Sequence, residues 1–562
     1  MIENQIEKEI NRAVYECFNE NFSCVVHSSG LEDVDYQCDD SFSLAKILKT
    51  SPIVLANKIC EKLGENEMFE KVFCKNGFIN FVLSNNFVQN ELKKLSTDEF
   101  FGVERPQNQM LFFLDYGGPN IAKPLHVGHL RSPIIGESIK RIIKFAGHKT
   151  LCDVHFGDFG LQIGEVIFGL REKNVAKENI TLQLLEEIYP NISSRIKNGD
   201  EELNKTCAQI TKELQNGNEE YLEYFKIIRE ISAGDIKRLF DYLDVHFDLY
   251  EGESNAYEYI PQLTTLLTQQ NLLVESEGAK VIDISREDDK KQLPPLIFQK
   301  SNGAYLYGTT DMATVLERKI KFSPNKIIYV ADIRQQLHFT QFFRACDKAK
   351  IFDEKNLEFY GFGTVNGTDG KPYKTREGKS PKLESLFEEV KQNLLENKEM
   401  NLEKEEDIDA IVNSVIKFAD LQNNYEKDYI FDINKFSKCE GKTGPYILYS
   451  YVRLKKVYNS FKNDIEPKFS MFCLNKAERD VEIKLLNFSS CFAKAFENRK
   501  PNIIADYLFD LCLKLNAFYE TNRFNSEENK EFISSWLKLI EISLNVVEKC
   551  LNLLAIKTID KM

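Results

Sequence analysis

The chain has 562 residues, of which 43% are hydrophobic and 28% charged, and its formal net charge is −14. This balance excludes a mainly disordered chain and an all-over basic coat for nucleic acid, while leaving room for a local basic track. At roughly 150 residues per domain the length allows about three or four domains, and no apolar run reaches the ~18 residues that a membrane helix needs.

The N-terminus, MIENQIEKEINRAVYECF, is acidic and mixed, without the basic start and apolar core of a secretory signal. A cytoplasmic protein that binds no membrane is therefore expected. Thirteen cysteines are scattered with no C-x-x-C pair, so reduced thiols are expected and neither a zinc ribbon nor a thioredoxin-like site is indicated. Helical periodicity at 3–18, carried by Ile6, Ile10, Ala13 and Val14, is followed by a second helical stretch, Ala45–Leu63, and a strand-like FINFVL at 78–83. These are the parts of a small α+β unit, and FGVERPQNQ at 101–109 reads as a linker after it.

Beyond the linker, MLFFLD at 110–115 is a short apolar run of the kind that a buried parallel strand requires. GGPN turns the chain into an amphipathic stretch to Ala146, with Ile134, Ile135, Ile139, Ile142 and Ile143 on one side and Gly147 just past its end. TLCDVHF at 150–156 is the next strand, which completes a βαβ unit. A charged helical insertion spans about 165–275, strands return at 279–284, 326–330 and 358–363, and a polar loop, TDGKPYKTREGKSPK, covers 368–382. From about 385 onward the pattern is helical, with Pro445, Pro467 and Pro501 at helix boundaries. The fold expected is α/β: a doubly wound, parallel-sheet (Rossmann-like) core over 106–384 with a helical insertion, an α+β N-terminal domain over 1–105 and an all-α C-terminal domain over 385–562.

Four of the seven histidines lie between 126 and 155, and two of them form HVGH, His126 and His129, at the mouth of the first βαβ helix. A spacing of three sets both imidazoles on one side of a helical turn, where free N–H groups favour anions. Two imidazoles there can donate hydrogen bonds to a phosphate whose charge grows in a transition state. Gly128 between them leaves space for a flat base against the backbone. Taken alone, four letters also describe two exposed helix-start histidines; a zinc site is the poorer alternative, since no third ligand stands at metal spacing.

The longer segment DYGGPNIAKPLHVGHLRSPIIGESI resembles class I aminoacyl-tRNA synthetases, and PNIAKPLHVGHLRS is the form typical of the arginyl-tRNA synthetase family. HFGDFGLQIG (155–164), YEGES (250–254), YLYGTTD (305–311), RQQLHF (334–339), DGKPYKTREG (369–378), CEGKTGPY (439–446) with YVR (451–453), and LNAFYETNR (515–523) follow in the family's order. The resemblance spans essentially the whole chain.

It implies an arginine–tRNA ligase. Arginine's carboxylate attacks the α-phosphorus of ATP, pyrophosphate leaves, and the acyl group passes to the terminal ribose of tRNA, a reaction governed by positioning and charge neutralisation. The partners implied are ATP, L-arginine and the tRNA for arginine, acting on a monomer. Mg²⁺ would accompany ATP, and no tightly bound protein metal is implied. By resemblance His126 and His129 stabilise the phosphate charge, with Pro119, Asn120, Gly128 and Lys371 also lining the ATP site. The second signature loop of the class, K-M-S-K, is PYKT here at 372–375, so Lys123 and Lys374 are the candidate compensating cations. Tyr307, Asp311 and Gln335 would line the arginine side-chain pocket, Asn120 and Asp115 would hold the α-carboxylate and α-amine, and Glu253 would add charge. A planar five-donor cation suits such acids, and their rejection of neutral amino acids removes the need for an editing domain. From local sequence Asp311 also reads as a helix N-cap. For tRNA, the aromatics and cations of the helical tail (Tyr446, Arg453, Tyr519, Asn522) suit an unpaired anticodon loop, and Phe78 and Asn80 are candidates for contact with the tRNA elbow.

The chain departs from the family pattern at GGPN, where Ser-Ser/Ala-Pro-Asn is common, at Phe159 in place of Trp, at Pro133 in place of Ser or Thr, and at Leu448 and Tyr451 in place of Gln and His. Another enzyme of the same fold would need clustered metal-binding Cys/His, and a non-catalytic tRNA binder would be expected to lack the histidines or Asp311.

Overall fold

The computed structural model describes residues 1–373, 382–396 and 404–562. Two compact units emerge. One contains Met1–Arg105 and Lys438–Met562; the other begins at Pro106 and takes in Val415–Ser437. Among the described residues no helix is long and apolar enough to cross a membrane.

In the first unit the helix Ile2–Phe18 buries Ile6, Ile10 and Val14 beside an antiparallel sheet of β1 (His27–Ser28), β2 (Tyr36–Cys38), β3 (Phe69–Lys75) and β4 (Phe78–Leu83), in the order β1-β2-β4-β3. The single helical stretch expected over Ala45–Leu63 is in fact two helices, Ser41–Leu48 and Pro52–Leu63. Lys49 turns left-handed at φ 53°, and Pro52 opens the second helix where its missing N–H has no intrahelical partner to lose. The same unit holds the helices Gly444–Phe461, Lys476–Leu486, Phe488–Asn498, Pro501–Thr521 and Lys530–Leu553. Arg479 of this bundle pairs with Asp35 at 2.7 Å, and the Tyr36 hydroxyl bonds Asn487.

The second unit is built on a parallel sheet of β5 (Leu111–Tyr116), β6 (Lys149–Asp153), β10 (Lys326–Asp332) and β11 (Leu357–Phe362), in the order β6-β5-β10-β11. A small antiparallel sheet, β7 (Val274–Ser276), β8 (Ala279–Ile282) and β9 (Leu296–Gln299), and the helices Leu161–Glu172, Leu182–Lys197, Glu201–Gln215 and Glu219–Tyr242 lie between β6 and β10 in sequence. The helix Arg131–Phe145 connects β5 outward to β6, and Gln336–Lys348 connects β10 the other way to β11. The crevice beyond the carboxyl ends of β5 and β10 is thus a topological switch point, where sheets of this kind bind ligands. Phe113, Ile327 and Tyr329 of these strands pack with Met312, Val315 and Phe342 in one continuous core.

Pro133 breaks nothing. The helix begins at Arg131, so Pro133 lies in its first turn, where backbone N–H groups have no partner. Arg131 itself is buried and forks onto Asp420, with Nε–Oδ2 at 3.0 Å and Nη2–Oδ1 at 3.2 Å, while Nη1 donates to the carbonyls of Gly363 and Lys427.

Candidate active site

HVGH forms one 3₁₀ turn, Val127–His129, ahead of the helix rather than its first turn. The imidazole centroids of His126 and His129 lie 3.9 Å apart. The His126 ring accepts the Gly128 amide at Nδ1 (3.0 Å), and the His129 ring accepts the His126 amide at Nδ1 (3.1 Å). With both Nδ1 atoms serving as acceptors, the proton of each neutral ring must sit on Nε2. Burial, helped by Lys123, lowers the pKa of His126. Burial first, then His126 and Lys123, push His129 down to about 3. Near neutral pH the pair is therefore two uncharged donors with fixed tautomers. Gly128 is glycine for a reason other than the one its sequence context suggests: a Cβ there would meet His126 Cε1 at 2.8 Å, so the ring itself fills that space.

The neighbouring loops are tied to this turn. Ser132 Oγ accepts the Gly117 amide at 2.7 Å and donates to the Val330 carbonyl at 2.6 Å. Pro119 is buried and its carbonyl accepts the Gly157 amide at 3.1 Å, which sets Asn120 beside Gly157 in a parallel bridge. Lys123 Nζ lies 4.5 Å from the Tyr189 ring centre. The Leu383 amide donates to the Leu125 carbonyl at 2.8 Å and Lys382 bridges His126, which fastens the segment after the polar loop next to the histidines. Lys371 is exposed at the other end of that loop; Lys374 lies outside the described residues.

Tyr307 opens the helix Tyr307–Phe322, and Asp311 follows one turn later on the same side. The N-cap is Leu306, so Asp311 is not a cap. Asp311 Oδ2 bonds His338 Nε2 at 2.5 Å. Burial opposes a charge on His338, but the Asp311 carboxylate outweighs it and the pKa is raised. Glu253, at the start of Glu253–Ala256, is pushed up to about 7 by burial and then by Asp311. Tyr307 and Gln335 are exposed. His338 stands within the quoted RQQLHF motif, and only the fold reveals its pairing with Asp311.

Asp115 differs most from expectation. Its carboxylate is held by the buried Arg318 at 2.6 Å, with Asp153 3.2 Å from the same nitrogen. Asp153 in turn holds His155 Nδ1 at 3.2 Å. Burial opposes the His155 charge, yet Asp153 and Asp115 drive it up to about 9. Its Nε2 is buried with no hydrogen-bond partner. An amine at Asp115 would share the carboxylate with Arg318, a partner that no local motif signals. Phe159 keeps the apolar role expected of Trp, packed edge-on against Phe225 and Tyr257.

Two tRNA candidates prove internal. Asn80 is fully buried; its Oδ1 accepts from Gln37 and its Nδ2 donates to the Phe73 and Phe78 carbonyls. Asn522 is also buried, bonded to the Phe518 carbonyl and to Asn475. Neither has a free group for a base edge. Phe78 is half-buried against Phe42, and Tyr446 is half-buried with its hydroxyl accepting from Asn516. The Arg453 guanidinium lies 4.4 Å from the Tyr519 ring centre. Leu448 and Tyr451 are core residues.

The histidine turn, the switch-point crevice and the acid-lined helix define a class I aminoacyl-tRNA synthetase core, and a family model described as "tRNA synthetases class I (R), catalytic domain" matches residues 91–433. Models for the DALR anticodon binding domain and the arginyl tRNA synthetase N terminal domain match 447–562 and 1–83. The chain belongs to the arginyl-tRNA synthetase family. It is 37% identical to an arginine–tRNA ligase of Agathobacter rectalis over 100% of this chain and 99% of the relative, and 38% identical to that of Alkaliphilus oremlandii over 97% of each. Arginyl-tRNA synthetase of Plasmodium falciparum superposes with a TM-score of 0.81 at 26% identity, covering 100% of this chain and 99% of the other. The Thermus thermophilus arginyl-tRNA synthetase gives the same TM-score at 21% identity over 100% of both chains, a likeness of fold.

Proposed function

We propose that this chain activates L-arginine with ATP to arginyl-adenylate and transfers arginine to the 3′ end of its tRNA, releasing pyrophosphate and AMP. The observation that carries the reading is the pair of neutral imidazoles whose tautomers the backbone sets, in the connection that follows β5 at the topological switch point. The Nε2–H groups of His126 and His129 donate to the α-phosphate as charge grows on it, and cost no reorganisation in doing so. Lys123, Lys371 and Lys374 neutralise the triphosphate, which enters with Mg²⁺ as its substrate complex. Pro119 and Asn120 shape the nucleotide side, and Gly128 gives the His126 ring its place. Asp311 and Glu253 take the guanidinium, with Tyr307 and Gln335 beside them. Asn120 orients the carboxylate for in-line attack, and the amine shares Asp115 with Arg318.

In this reading residues 1–105 serve the tRNA elbow, 106–384 catalyse with Val415–Ser437 packed into the same unit, and the helices from Lys438 onward read the anticodon loop, with Phe78, Tyr446, Arg453 and Tyr519 as contacts. The enzyme works as a cytoplasmic monomer. Amino-acid-dependent ATP–pyrophosphate exchange, with and without bulk tRNA, tests the reading. Arginine-specific exchange that requires tRNA is expected, and exchange driven by another amino acid would refute it.

A further inference from the structure

We propose that Cys24, Cys38 and Asp40 form a binding site for a soft divalent cation of the Zn²⁺ or Cd²⁺ type in the N-terminal part of the chain. The two sulfurs and a carboxylate oxygen lie within 4.8 Å of one another, and both cysteines are buried. Three separate elements supply them. Cys24 stands in the irregular segment after the helix Ile2–Phe18, Cys38 ends β2 in register with Ile79, and Asp40 directly precedes the helix Ser41–Leu48.

The arrangement is held in place before any cation arrives. The consecutive amides of Cys24, Val25 and Val26 donate to Asn11 Oδ1 (2.8 Å), Asp40 Oδ2 (2.7 Å) and Glu7 Oε1 (3.0 Å). Asp40 thus has one oxygen committed to the backbone and the other available. Outer partners that orient ligands in this way are typical of built metal sites. A tetrahedral ion with metal–sulfur bonds of about 2.3 Å holds two thiolates about 3.8 Å apart, so the sulfurs need approach by no more than about 1 Å. Two sulfurs select Zn²⁺ or Cd²⁺ over Mg²⁺ or Ca²⁺, and solvent takes the fourth position beside the half-buried Asp40. Binding releases the two thiol protons to solvent and changes no oxidation state. Thirteen residues lie between the two cysteines, so no short linear motif marks the site.

The test uses the full chain, reduced and stripped with chelator, then titrated with Cd²⁺ while ultraviolet thiolate-to-metal charge-transfer absorption is read. One equivalent should saturate the signal. Cys38→Ser should abolish it, Asp40→Asn should weaken binding at least tenfold, and Cys207→Ser, in the other unit, should change nothing. X-ray absorption on the Zn²⁺-loaded wild-type chain should give two sulfur ligands with the remainder oxygen, a readout that stands even where Cys38→Ser does not fold. No charge-transfer band in the wild type, an unchanged band in a folded Cys38→Ser, or a first shell without two sulfurs overturns the proposal. So does a Cys24–Cys38 disulfide that persists in the reduced preparation and excludes Cd²⁺.

Discussion

His338 Nε2 and Asp311 Oδ2 lie 2.5 Å apart, which places an ionisable ring directly on the acid proposed to take the arginine guanidinium. Below its raised pKa the ring is a cation that neutralises Asp311 and competes with a guanidinium; above it the ring only orients the carboxylate. Glu253, with its pKa near 7, is neutral on the acid side and charged on the basic side. Both groups act in the same direction, so KM for arginine should fall as pH rises from about 6 to about 8, while KM for ATP changes little. Steady-state kinetics across that range checks this. In His338→Asn the fall should be shallower, since only Glu253 then titrates.

Asp311→Asn leaves the shape and removes the charge. KM for arginine should rise by the equivalent of about 2 kcal/mol or more, with KM for ATP nearly unmoved. An equal rise in both constants would argue against the pocket assignment.

His126→Ala and His129→Ala each delete one oriented donor. Each should lower kcat for pyrophosphate exchange by about 10²–10³ with a small change in KM. Unaltered kcat in both variants would remove the imidazoles from the chemistry.

Gly128→Ala should reproduce part of that loss without touching a histidine, because the added methyl would stand 2.8 Å from His126 Cε1 and must displace the ring. Retained circular dichroism together with reduced exchange is the expected pair of results.

Asp420→Ala leaves the Arg131 guanidinium buried without its carboxylate. Unfolding measured by denaturant should show a loss of about 3–5 kcal/mol, far more than an exposed ion pair such as Arg195–Glu172 would give.

The parallel strands, the crossover helix after HVGH and the helical tail are all legible in the sequence, because buried strands and amphipathic helices leave periodic apolar signals. Tyr307 and Asp311 sharing a helix side follows from spacing alone. Residues paired across long separations are not legible: Arg131 with Asp420, Arg318 with Asp115 and Asp153, and His338 with Asp311 carry no local pattern. Asn80 and Asn522 look like surface polar residues in the sequence, since a hydrogen-bonded buried amide and an exposed one share the same letter. The break within 45–63 was marked by Pro52, which the continuous periodicity on either side obscured.

His155 adopts a left-handed backbone at φ 42°, and a Cβ at Gly118 would stand 2.9 Å from its carbonyl oxygen. The two positions are therefore a lock and its keyway. A Ser or Ala introduced at 118 would have to be matched by a changed backbone at 155; introduced singly, the side chain would pry apart the loops that follow β5 and β6.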